Sequence, residues 1–85
     1  MLGHPVKIVT RGALVALKFH AAVSPKRGIA DRYMDVSDIG RVLEKRFEPS
    51  DEEVALRVAE GAYPGARADL ARMLADLRAG RPVRL

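Results

Sequence analysis

The sequence predicts a mainly α fold, a small bundle of four helices with short extended segments at both termini. Three observations predict it. Apolar residues recur at helical spacing along four separate stretches. Turn formers separate those stretches: Ser24-Pro25-Lys26-Arg27-Gly28, Pro49, the segment from Gly61 to Gly65, and Gly80. The 85 residues are 48% apolar and 31% charged, a globular rather than disordered composition. At that length the expectation is one helical domain, 1–85. Its core would remove only about two-thirds of the unfolded surface from water. Leftover apolar surface is therefore expected, and with it a homodimer or docking to a separate protein subunit.

The first segment, Pro5-Val6-Lys7-Ile8-Val9-Thr10, alternates apolar and polar residues and reads as extended. Thr10 is the expected N-cap of a helix over 11–22. Leu14, Leu17 and Ala21, with Val15, Phe19 and Ala22, give that helix a broad apolar face. Pro25 disfavours helical geometry at Ser24, so a basic loop follows. A second helix is expected from near Asp31, whose carboxylate suits a helix N-terminus, to Phe47. Val36, Ile39, Val42, Leu43 and Phe47 form its core stripe. Gly40 interrupts it at a cost of about 1 kcal/mol against Ala, which a close helix–helix approach would explain.

Ser50 and Glu53 form an S-x-x-E capping box that predicts a third helix over 51–60, with Val54 and Val58 inward. Gly61 closes it. The fourth helix is expected over 65–79, with Ala66, Leu70, Met73, Leu74 and Leu77 on one face. Asp69–Arg72 and Arg72–Asp76 are expected as supporting pairs on another. Gly80 stops this helix. The tail, Arg81 to Leu85, is extended around Pro82 and could pair with residues 6–9 as a two-stranded flap.

Several chemistries are excluded by what is missing. There is no Cys, hence no disulfide, thiolate metal site or Cys nucleophile. His4 and His20 are far apart, and the isolated glycines form no phosphate loop. Ser24, Ser37 and Ser50 lack a nucleophile-elbow context. No cofactor and no metal are expected. No stretch is long and apolar enough for a signal peptide or a membrane span, so a cytoplasmic location and no membrane contact are expected. The absence of Asn, Gln and Cys fits a heat-adapted source and fits a GC-rich genome equally.

The net charge of +4 allows an anionic partner without demanding one. Arg78, Arg81 and Arg84 could contact nucleic acid. Glu48, Asp51, Glu52 and Glu53 would repel phosphates, and the usual adenine readers are absent, so nucleic acid is not the expected partner.

One dense polar cluster remains: Lys18, His20, Lys26, Arg27, Asp31, Arg32, Asp35 and Asp38. Asp31, Asp35 and Asp38 are spaced i, i+4, i+7 and share one helix face. In an antiparallel hairpin of the first two helices, Lys18 reaches Asp35 or Asp38. Such a cluster could bind a nucleotide or phosphate through Lys18, His20, Arg27 and Arg32, with Asp35 and Asp38 as base or cation ligands. From residue types alone the favoured reading is a salt-bridge network that locks the hairpin. His20 alone reads as an exposed residue near a helix C-terminus.

The stretch from Pro5 to Leu43 carries further information. Pro-Val-Lys-Ile-Val-Thr, then Leu14-x-x-Leu17-Lys18-x-His20-Ala21, then Arg32-x-x-Asp35-x-x-Asp38-Ile39 resembles part of nucleotidyltransferase-like proteins of the abortive-infection and toxin–antitoxin type. The resemblance covers about the first half of the chain. It implies a C-terminal helical module, with Lys18, Asp35 and Asp38 at the family's polar positions, flanking a nucleotide site or bracing the hairpin. The family's catalytic half carries a Gly-Ser turn and paired carboxylates on strands, and this chain contains neither. The resemblance therefore implies a non-catalytic accessory or interaction module, such as half of a split or toxin–antitoxin-type system. Two other readings stay open. One is a small nucleotide- and metal-binding enzyme built on Lys18, Asp35 and Asp38. The other is a weakly basic nucleic-acid-binding regulator.

Overall fold

A computed structural model of the chain describes residues 10–85. The expected extended segment and its pairing with the tail fall on residues 5–9 and lie outside the described residues. Four helices follow in order: α1 (Arg11–Ala22), α2 (Ile29–Lys45), α3 (Pro49–Glu60) and α4 (Ala66–Ala79). Among the described residues there is no strand, and none of the helices is long and apolar enough to cross a membrane.

α1 begins where the sequence places it. The Thr10 hydroxyl accepts from the Ala13 amide at 3.1 Å, satisfying one of the helix's free N–H groups. α2 starts two residues before Asp31, with Gly28 as an extended N-cap, and it stops at Lys45. Phe47 is therefore not helical. It packs against the core from the connection, half-buried. The chain leaves the helix at Arg46, extended at φ −142°, ψ 94°, and Pro49 holds Glu48 extended at φ −90°, ψ 163°.

The N-terminus of α3 corrects the expected capping box. Glu48 is the N-cap, Pro49 occupies the first helical position, and the Glu48 amide donates to Asp51 Oδ2 at 2.9 Å. Ser50 lies inside the first turn. Proline's fixed φ and missing N–H suit that first position, so the helix starts at Pro49 and the shorter Asp51 reaches back in place of Glu53.

The inner face of α3 also differs from expectation. Ala55 and Ala59 are buried, whereas Val54 and Val58 are 37% and 51% exposed. The cause lies on α1. Gly12 sits against the α3 backbone, and a Cβ there would collide with the Asp51 carbonyl and come within 2.8 Å of Val54 Cβ. The absence of a side chain at Gly12 is what lets the α3 backbone and Val54 come so close. The close approach expected at Gly40 is thus found at Gly12. A Cβ at Gly40 would meet Leu77 at an ordinary 3.8 Å.

α1 lies between α2 and α3. Gly12 faces Asp51 and Val54, and Leu17 and His20 line the same notch as Val58 and Ala62, so α1 and α3 run parallel. Lys18 meets Asp35 and Asp38, and Arg32 meets Ala22, so α1 and α2 run antiparallel. α4 is antiparallel to α3: Glu60 pairs with Arg67 near one end and Glu52 with Arg78 at the other. Phe19, Ile39, Leu70, Leu74 and Val15 are the largest fully buried side chains, and all four helices contribute to one hydrophobic cluster.

α4 keeps its expected face: Ala66, Leu70, Met73 and Leu74 are buried. Gly80, at φ +71°, ends it in a left-handed turn in which the Arg81 amide donates to the Asp76 carbonyl at 2.8 Å. Asp69 pairs with Arg72 at 3.3 Å as expected. The expected Arg72–Asp76 pair is replaced by Arg81–Asp76 at 2.9 Å, because the turn at Gly80 folds Arg81 back beside Asp76.

Candidate functional site

The polar cluster assembles at the α1–α2 seam. Lys18 Nζ is 3.0 Å from Asp38 Oδ2 and 3.7 Å from Asp35 Oδ1. Arg27, from the loop, places Nη2 3.0 Å from Asp35 Oδ2. That contact is close but poorly aligned, so Asp35 Oδ2 is charge-paired without a hydrogen bond. Asp35 is only 5% exposed, which makes it the one buried charged side chain among the described residues. Removing a carboxylate from water is costly unless cations compensate it, and here two do. The bond to Asp38 and its charge hold the Lys18 ammonium above the ordinary 10.5 against desolvation, and Asp35 adds a smaller push in the same direction.

The other expected site residues separate from this group. Arg32 leaves the carboxylates alone and donates Nε to the Ala22 carbonyl at 2.7 Å, capping the C-terminal end of α1. His20 is exposed on the flank of α1 facing α3, across the helix from Asp35. One turn of α1 carries Lys18 towards α2 and His20 towards α3, because residues two apart point in different directions. Among the described residues no group of three or more His or acidic side chains is placed to hold a metal ion. Within the cluster Lys18 and Arg27 neutralise Asp35 and Asp38, so the arrangement braces the hairpin.

Two further features escaped the sequence. A notch of about 310 Å³ lies between α1 and α3, floored by Ala16, Ala59, Gly61 and Ala62 and lipped by Leu17 and Val58. Of the exposed apolar side chains, Leu17 and Val58, 60% and 51% exposed, line it, while Leu14 and Val54, 36% and 37% exposed, do not. The exposure of Leu14 and Leu17 follows from the width of the predicted apolar face, of which only the Val15–Phe19–Ala22 edge is buried.

The second feature is a cleft of about 510 Å³ bounded by α1, α2, α4 and the tail. Tyr63 forms part of its floor, stacked on the buried Phe19 with ring centroids 6.3 Å apart. The Tyr63 hydroxyl donates to Asp69 Oδ2 at 2.9 Å. Burial, then the bond to Asp69 and its charge, push this phenol up to about 12. Nothing periodic in the sequence pointed to Tyr63. Its role depends on a left-handed Gly65 that turns the chain into α4.

Compared with family models, curated proteins and solved structures, the chain matches none.

Proposed function

We propose that the chain is a non-catalytic interaction module that docks through the outer face of α1 and α3, as the helical accessory part of a nucleotidyltransferase-like system would. The observation that carries this reading is the exposed apolar pair Leu17 and Val58 at a notch of small residues. Exposed apolar side chains gathered at one notch are the usual mark of a protein-binding surface. Leu17 and the notch sit side by side, which suits both a second copy and a separate helical subunit. The charged seam lends further support, since Lys18, Asp35 and Asp38 pair with one another rather than facing outward as an open anion site.

The test compares the wild-type chain with a Leu17→Lys, Val58→Lys double variant by light scattering on a sizing column and by binding of an apolar dye. Both positions are more than half exposed, so the helices should keep their circular dichroism. The expected result is self-association or dye binding in the wild type and loss of both in the variant. A monomeric wild type that binds dye no better than the variant would overturn the reading.

A further inference from the structure

The cleft beneath the C-terminal tail carries an inference independent of the docking face. Its walls are fixed from both sides. The Arg81 amide and side chain both bind Asp76, at 2.8 and 2.9 Å, so the wall formed by Pro82 to Leu85 is anchored at its root. Val83 and Leu85 pack against the hydrophobic cluster. Opposite them, Tyr63 is held by its stacking on Phe19 and by Asp69. The interior is therefore pre-organised, with apolar surface from Val23, Tyr63 and Val83.

The charges in the lining are unequally satisfied. Asp69 is neutralised by Arg72 and Asp76 by Arg81. Arg32 and Arg84 also line the cleft, and neither has a carboxylate partner among the described residues. Arg32 uses Nε on the Ala22 carbonyl, which fixes the guanidinium and leaves its two Nη groups for another acceptor. Two unpaired guanidiniums beside an apolar floor, in a volume typical of small-molecule sites, select for one kind of occupant.

We infer that this cleft binds a small amphiphilic anion: a carboxylate or phosphate held by Arg32 and Arg84, carried on an apolar body that lies against Val23, Tyr63 and Val83. The head supplies charge-assisted hydrogen bonds and the body excludes water. Neither half alone should bind well.

The test titrates the full chain with phenyl phosphate and with 3-phenylpropionate, and with inorganic phosphate and phenol as the separate halves, following Val83 methyl and Tyr63 ring resonances. At least one of the first two should bind ten-fold or more tightly than either half. Whichever does so identifies the head group. Arg84→Glu should weaken that ligand at least ten-fold. Arg84 is exposed, so an unchanged melting curve would show that the fold persists. Arg41→Glu, on the exposed surface of α2 and outside the cleft, should leave binding unchanged. The inference is overturned if neither amphiphile exceeds inorganic phosphate, or if Arg84→Glu binds as the wild type does.

Discussion

α1 is joined to its two neighbours by opposite means. Towards α2 it offers Lys18 to a buried Asp35 and a half-exposed Asp38. Towards α3 it makes no ion pair: Gly12 meets the Asp51 carbonyl and Val54, and Ala16 and Leu17 line a notch with Val58 and Ala59. The first seam tolerates separation, because long side chains span it and water screens part of the charge. The second depends on backbone proximity and tolerates no added atom. Within one short helix, charge sets the register of one joint and side-chain size sets the spacing of the other.

The largest expected effect comes from the tighter seam. Gly12→Ala places a Cβ against the Asp51 carbonyl, and a backbone atom cannot swing aside. We expect a loss of about 3 kcal/mol, at the upper end of overpacking costs. Gly40→Ala should do the reverse and stabilise by about 0.5–1 kcal/mol, since the new Cβ meets only Leu77 at 3.8 Å. Urea melts of the two variants check the pair, and equal effects would mean that the α1–α3 contact at Gly12 is no tighter than the α2–α4 contact at Gly40.

Next comes the charged seam. Asp35→Ala removes the partner of both Lys18 and Arg27. Loss of a buried ion-pair member costs about 3–5 kcal/mol when the remaining charge is trapped. Here the two cations are 35% and 43% exposed and recover hydration, so about 2 kcal/mol is expected. Asp38→Ala should cost about 1 kcal/mol or less, because its side chain is 35% exposed. Equal losses at the two positions would mean that burial does not organise this seam.

The smallest effect is that of alkaline pH. Lys18 is raised above 10.5 in the folded chain, so its contribution is complete below that pH and is lost as pH climbs through the folded value. Tyr63 acts in the same direction: its folded value near 12 exceeds the ordinary 10.0, so its contribution fades between those two limits. Melting temperature should therefore fall across the alkaline range. Asp38→Asn and Tyr63→Phe should each flatten part of that fall. A single-variant profile parallel to the wild type would remove that group from the account.

Part of this arrangement was legible in advance. Lys18, Asp35 and Asp38 come together because the i, i+3 spacing puts both aspartates on one face of α2 and the short loop at Ser24–Gly28 brings α2 back antiparallel to α1. His20 could not be assigned to a side by its position in the sequence, since the flank it occupies depends on where α3 packs. The cleft was not legible at all. Its walls come from residues as distant as Val23, Tyr63 and Val83, and only the turn at Gly80 brings the tail back to them.

The sequence by itself determined four helices, their punctuation and the inner faces of α2 and α4, because hydrophobic periodicity and Gly or Pro breakers are local properties. It did not determine which face of α3 turns inward. Val54 with Val58 and Ala55 with Ala59 have the same helical spacing, and hydrophobicity alone favours the valines. Tertiary structure buried the alanines and left Val54 and Val58 partly exposed, with Val54 seated at the edge of the seam, where its Cβ and Cγ1 lie against Gly12. The valines were left at the surface, and that choice made the face on which the proposed docking rests.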